Sequence, residues 1–229
     1  MSRLEFVHRF LKSRLFYPTV FLACLAPGAL LLTQFYQAAI SGTNPEVLGA
    51  NPVETLLHTL GRYALAILLW TLAVTPVRRL TGWNALQRVR RMLGVWSFTY
   101  ACLHLATYLV FKQNCYSLDT CRLQAIVVDV LKRKFIFAGM LAFTILLALA
   151  ATSTNGWIRR LKKKWTILHR AVYVAGVAGV VHFAWGQKLN ITKPLQWGAV
   201  LTVLLGYRLY LTLKKRRGRA GSQALGTRH

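Results

Sequence analysis

Residues 165–185 read WTILHRAVYVAGVAGVVHFAW, and the fold follows from how this stretch is read. At about 1.5 Å of rise per residue it is long enough to cross a hydrocarbon core of about 30 Å. It also carries two imidazoles, His169 and His182. Ionisable groups inside a span are expensive, so they face a bundle interior where a partner or a ligand satisfies them. Gly179, Ala178 and Ala175 lie three, four and seven residues before His182, which strips that helical face of bulk and leaves room for a flat, bulky ligand.

Outward from this stretch the chain repeats the same composition. It has 229 residues, 55% of them hydrophobic and only 15% charged, which describes a membrane protein and leaves no room for a large soluble domain. Apolar runs fall at 15–40, 57–77, 92–111, 135–153, 165–185 and 195–213, predicting an all-α, six-helix transmembrane bundle. The first run is too long for a signal-peptide core and has no small-residue cleavage site, so it counts as a span. Pro27 inside it should kink the helix. The division is a cytoplasmic segment 1–14, a membrane domain 15–213 and a basic tail 214–229.

The net charge of +25 would suit nucleic acid, but the 30 Lys and Arg cluster in short segments between apolar runs, as the positive-inside rule requires. With both termini cytoplasmic, 20 of the 30 fall on the inner side. The polar segment 41–54, with Glu46, Glu54 and no Lys or Arg, then lies outside. So does 119–134, where Leu123, Ile126, Val127, Val130 and Leu131 form a helical stripe behind the capping candidates Asp119 and Thr120. That helix is expected along the outer membrane face, as a lid or a docking surface. Cys115 and Cys121 share this segment, where an oxidising exterior permits a disulfide, whereas Cys24 and Cys102 sit in spans as small packing residues.

The histidines carry the chemistry. His104 lies mid-membrane with Tyr100 and Tyr108 one turn to either side, and His58 opens the second span close to Arg62. His8 and His229 are terminal. Zinc or copper would ask for cysteine or carboxylate help, and the spans contain no acid. Haem asks for axial histidine, an apolar slot and a cation for its propionates, which Arg62 or Arg170 can supply unless each snorkels to the headgroups. No Cys-x-x-Cys-His motif attaches haem covalently, so the expected cofactor is haem b. A histidine relay in a transporter is the competing reading. No Gly-rich phosphate loop opens a βαβ unit, so a dehydrogenase must be a separate protein.

HTLGR (58–62), TPVRRL (75–80), RRMLG (90–94), Tyr100-x3-His104-x3-Tyr108, TSTN (152–155), WTILHRAVY (165–173) and VVHFAW (180–185) together resemble the MsrQ (YedZ) family over nearly the whole chain. That family is the haem-binding membrane subunit of a bacterial periplasmic methionine-sulfoxide reductase system, with wider kinship to the ferric-reductase-like transmembrane domain. The resemblance implies a multi-pass protein of the cell inner membrane that takes electrons from the quinone pool. It passes them through haem b to MsrP, a periplasmic molybdenum reductase that repairs oxidised proteins. It implies FMN as a further cofactor, with no residue of this sequence assignable to FMN or quinone. By position the haem ligands are His104, His169 and His182. The wider family carries a histidine pair on each of two helices, whereas here the third span has His104 alone, which leaves one haem or two. Such a chain is an electron-transfer subunit, not a self-contained catalyst, and a cytoplasmic flavin reductase is the alternative donor.

Depth selects the axial pair. Counting at 1.5 Å per residue from the nearest inner basic residue, His104 lies about 20 Å up, His182 about 27 Å and His169 about 8 Å. His104 and His182 are therefore expected to share an iron, with His169 serving an inner haem or an alternative ligation state.

Overall fold

The computed structural model describes residues 9–44, 46–115, 121, 123–187 and 191–226. His8, His229, Asp119, Thr120, Arg122, Lys188 and Asn190 lie outside them. Every regular element among the described residues is helical. Helix α1 (Phe16–Phe35) runs on through a π-helical turn (Tyr36–Ile40), followed by α2 (Pro52–Thr81) and α3 (Arg90–Lys112). Next come α4 (Leu123–Lys132), α5 (Lys134–Ala151), the short α6 (Asn155–Leu161) and α7 (Lys163–Leu168). A 3₁₀ turn (His169–Ala171) leads into α8 (Val172–Gly186), and α9 (Thr192–Gly226) closes the chain.

Five helices are long and apolar enough to cross a membrane: Phe16–Ile40, Pro52–Thr81, Arg90–Lys112, Lys134–Ala151 and Lys163–Gly186. Their outward faces leave Leu22, Leu30, Trp70, Phe137 and Val174 exposed. Water would not tolerate so continuous an apolar exterior, and the chain is a multi-pass membrane protein. The expected sixth span, 195–213, is helical as part of α9 but does not join the five, because Gln196, Tyr207, Arg208 and Tyr210 dilute its apolar run.

The second span starts earlier than its apolar run. Asn51 caps α2 by accepting from the Glu54 N–H at 3.2 Å, with Pro52 at the first helical position and the Glu54 carboxylate in the first turn. The polar segment expected to reach residue 54 therefore ends at the cap. At the far end Gly82 takes the left-handed conformation, φ 74°, and donates to the Arg78 carbonyl.

Helices α2 and α3 pack as one antiparallel pair and α5 and α8 as another, with α9 against α8 and α2, and α1 against α2 and α3. One end of the bundle brings together Glu54, Lys112, Gln187 and Lys193. At the other end Arg91 donates to the Asn155 side chain. Between the ends the core is leucine-rich, with Leu65, Leu68, Leu69 and Leu72 of α2 meeting Leu146, Leu149, Ala175 and Leu201.

Pro27 lies within an unbroken α1. One residue on, Gly28 leaves room for Tyr100, whose hydroxyl donates to the Cys24 carbonyl at 2.5 Å. A Cβ at Gly28 would stand 2.6 Å from that hydroxyl. Tyr100 thus turns away from its neighbour His104 to clamp α1 onto α3. Pro76 removes the N–H that would bond the Leu72 carbonyl, and Arg208 of α9 donates to that carbonyl at 3.1 Å.

The helix expected within 119–134 forms as Leu123–Lys132, with Val127, Val128 and Leu131 exposed. A disulfide joins Cys115 to Cys121 just before it, with Cα atoms 4.2 Å apart. Asp129 holds the helix to the end of α3. It accepts from the Tyr108 hydroxyl at 2.6 Å, from the Gln113 amide at 3.1 Å and from the Arg133 guanidinium at 2.7 Å. Asp129→Asn keeps the shape and removes the charge from these bonds, so a loss of about 1–3 kcal/mol is expected. In hydrogen-exchange mass spectrometry the amides of Leu123–Lys132 should then open faster while those of α5 stay protected.

Candidate functional site

The bundle brings His104 of α3 and His182 of α8 together, with ring centres 6.0 Å apart and ring planes at 80°. Each imidazole is held from behind. The His104 Nδ1 lies 2.8 Å from the Leu57 carbonyl of α2, and the His182 Nδ1 lies 2.6 Å from the Phe135 carbonyl of α5. A carbonyl only accepts, so each Nδ1 carries the proton and each Nε2 keeps its lone pair. This is how proteins prepare an imidazole to ligate a metal, fixing tautomer and ring orientation through the nitrogen that does not ligate. Two imidazoles prepared in this way on neighbouring rings would both be available to one metal.

The backing carbonyls are reachable because of two glycines. A Cβ at Gly61 would lie 3.1 Å from the His104 ring, and one at Gly139 would lie 2.7 Å from the His182 Nδ1. Each glycine sits four residues after the carbonyl that its partner histidine uses, so the ring rests on the bare helix turn and takes the carbonyl's second lone pair. In both cases carbonyl and histidine are 47 residues apart. Residues 57, 61 and 104 correspond to 135, 139 and 182, a constant offset of 78. The two helix pairs thus carry one device twice, although their sequences show no evident repeat. Gly61 and Gly139 are the residues that sequence reasoning misses. Their signal is a glycine 43 residues before each paired histidine.

His169 stands apart from this pair. It opens the 3₁₀ turn between α7 and α8, which breaks the straight helix assumed from the sequence. Its ring stacks on Trp165 with centres 3.8 Å apart, and its Nδ1 faces the Trp165 carbonyl at 3.1 Å. Its Nε2 is buried and makes no hydrogen bond, with the Leu149 backbone close to the ring. The small residues before His182 do not form the flat slot expected of them. Ala175 is fully buried in the leucine core, and Cβ atoms at Gly176 and Gly179 would meet Leu201, Leu72 and Leu65 at 3.4–3.5 Å. They bring α8 close to α2 and α9.

Arg62 donates to the Thr59 hydroxyl and lines a cleft of about 280 Å³ at the Glu54 end, with Glu54, His58, Phe183, Gln187 and Lys193. His58 pairs with Glu54 at 3.5 Å and is half exposed, so it is a surface group of this cleft. Arg170 is exposed. Among the described residues no three His, Cys, Asp or Glu side chains gather as metal ligands. The pair offers two nitrogens and nothing else, a donor set that suits a group with its own equatorial ligands, haem above all. Arg62 and Lys193 in the cleft suit that group's carboxylates.

Comparison with known proteins points the same way. Residues 60–180 match the family model described as ferric reductase like transmembrane component. The chain is 44% identical over 202 residues, 88% of its length and 89% of the relative's, to the protein-methionine-sulfoxide reductase heme-binding subunit MsrQ of Xanthomonas oryzae pv. oryzae. Proteins of the same name from Xanthomonas axonopodis pv. citri and Herminiimonas arsenicoxydans are 44% and 43% identical, over 85% and 76% of this chain and 86% and 78% of their own.

The glycine contacts set an order of effects. Gly139→Ala forces the His182 ring off its carbonyl and should cost about 1–3 kcal/mol, as overpacking does. Gly61→Ala asks His104 to give only a few tenths of an ångström and should cost less. Thermal unfolding of the two purified variants in one detergent checks the order.

Proposed function

The chain belongs to the MsrQ family of ferric-reductase-like transmembrane proteins, and we propose that it is a b-type cytochrome subunit carrying electrons from the quinone pool to a periplasmic methionine-sulfoxide reductase. One observation carries this reading. His104 and His182 present two Nε2 lone pairs on rings 6.0 Å apart, inside apolar helices that contain no acid to balance a bare cation.

Haem b, held by these two nitrogens, supplies a one-electron couple within the bundle. What the chain contributes follows from its own residues. The Leu57 and Phe135 carbonyls fix the tautomer with the proton on Nδ1 and resist rotation of both rings. Arg62 and Lys193, which line one cleft at the Glu54 end, would pair its propionates. The surrounding leucines, Tyr100 and Ser97 exclude water from the helices that carry the ligands. His169, with its buried Nε2, would serve a second haem nearer the opposite end.

Charge supports the orientation. The end bearing Arg78, Arg79, Arg90, Arg91 and the basic tail faces the cytoplasm of a bacterial inner membrane, and α9 supplies the sixth crossing. The Glu54 end, with α4 and the loop after α8, then faces the periplasm. There the chain meets the molybdenum-bearing reductase MsrP. Quinol is the electron source in this reading and FMN an additional carrier, both supported by family kinship.

The purified protein is expected to show a b-type α-band in a reduced-minus-oxidised spectrum. His104→Ala and His182→Ala should each abolish the main haem signal. His169→Ala should leave that signal and remove only a second component. Loss of the main signal from His169→Ala alone, with the other two variants unaffected, would falsify the pairing.

A further inference from the structure

Helix α4 is folded the wrong way round for water. Among its described side chains Gln124, Val127, Val128 and Leu131 form the exposed face, spaced three and four residues apart along one side, with Leu131 71% exposed. The side turned to the protein carries the helix's one carboxylate, Asp129, held by Tyr108, Gln113 and Arg133. A helix that faces water hides its apolar stripe and exposes its charge. Here the charge points in and the stripe points out. Ten residues also fall short of the roughly 12–15 that a helix needs in water on its own, so α4 draws its stability from what packs on it.

Two constraints set its height. Arg133, a single extended residue, joins α4 to α5, whose 18 residues already use about 27 Å of a hydrocarbon core about 30 Å thick. Helix α4 therefore cannot prolong the span and lies at its edge. Asp129 accepts from Tyr108, which stands four residues inside the end of α3, about 6 Å below it. The middle of α4 is thus drawn to the headgroup and acyl boundary, where helices lying in the plane bury their apolar side by about 5–10 Å. Beyond the joint the exposed stripe continues into Phe137 and Leu141 of α5, part of the lipid-facing exterior. Lys132 and Lys134, both exposed, flank the joint at the level of the headgroups.

We propose that α4 is an interfacial membrane anchor, which inserts Val127, Val128 and Leu131 into the leaflet at the Glu54 end of the bundle and holds the end of α3 at a fixed depth. The occupant of the stripe is lipid. It is continuous with the lipid-facing surface of α5, and its edge carries the cations that headgroup phosphates attract. Because Asp129 bonds Tyr108, one turn after His104, the anchor bears on the helix that carries the first ring. The inference rests on the membrane spans alone and holds whatever His104 and His182 bind.

The test uses the full wild-type chain in vesicles of phosphatidylethanolamine and phosphatidylglycerol that contain a phospholipid with a photoreactive diazirine in its acyl chain. After irradiation trypsin releases Leu123–Lys132 as one peptide, since Arg122 precedes it and Lys132 ends it. Fragmentation should place lipid adducts on Val127, Val128 and Leu131 and leave Ile126 and Val130 unmodified. A second measurement reports what covers the face. With Cys24 and Cys102 replaced by alanine and the Cys115–Cys121 disulfide intact, a nitroxide is attached in the variants Val127→Cys, Leu131→Cys and, as a control, Lys112→Cys. The ratio of collisions with oxygen to collisions with a water-soluble nickel chelate should be several-fold higher for the first two labels than for the control. Adducts confined to α5, with the chelate reaching residues 127 and 131 as freely as 112, would overturn the proposal and leave the face open to water. So would labels shielded from both reagents and a peptide without adducts, the signature of a protein partner or a second copy.

Discussion

A helix carbonyl that has lost its cover is the contact on which this bundle turns. Inside a membrane every backbone group must find its partner within the protein, and helices satisfy nearly all of them by themselves. At four places a side chain from another helix reaches a carbonyl that is either bare of a neighbouring Cβ or robbed of its N–H. His104 takes Leu57 over Gly61, His182 takes Phe135 over Gly139, and Tyr100 takes Cys24 over Gly28. Arg208 takes Leu72, which Pro76 has freed. In each case the residue four positions on is glycine or proline. The same small opening serves for ligand orientation, for clamping helices and for seating a buried cation.

This constraint explains why the imidazoles are fit for a metal. An imidazole between apolar helices has two nitrogens to satisfy, and an arrangement that bonded both would leave nothing to ligate. Bonding Nδ1 to backbone satisfies the buried N–H and sets the tautomer, and Nε2 is left for a ligand. Backbone is a firmer support than a side chain would be, since a helix carbonyl cannot rotate away. The position of each Nε2 is therefore set by the packing of α2 on α3 and of α5 on α8, which are the tightest helix pairs in the molecule.

Much of the architecture was legible in the sequence, and the failures have physical causes. Length and apolar content located the five spans that the structure supports, because no other structure keeps so long an apolar run satisfied in lipid. Reading along single helices could place His104 near His182 by depth, since rise per residue is fixed. It could not reveal what stood behind each ring, which depends on neighbours 47 residues away. Gly61 and Gly139 looked like ordinary glycines of membrane helices. The glycines and alanines before His182 invited a ligand and instead received leucines, because a smooth face admits another helix as readily as a flat ring. The sixth apolar run failed the same kind of count for the opposite reason. Arg208 counted against it, although that guanidinium turns inward to Tyr173 and Leu72.

The two helix pairs α2–α3 and α5–α8 are matching halves of one arrangement. Each supplies one histidine, one glycine and one carbonyl in the same order, and neither can hold a six-coordinate metal between two imidazoles without the other. A group bound between the rings would therefore tie α2–α3 to α5–α8 through its own bonds, adding to the thinner packing of α3 on α5 and α2 on α8. Ligand affinity and bundle stability are then linked quantities, since whatever binds only the assembled pair stabilises the assembly. Phe183, the residue after His182, lines the cleft of Arg62, His58 and Lys193, so the polar end of the bundle begins one residue from the second ring.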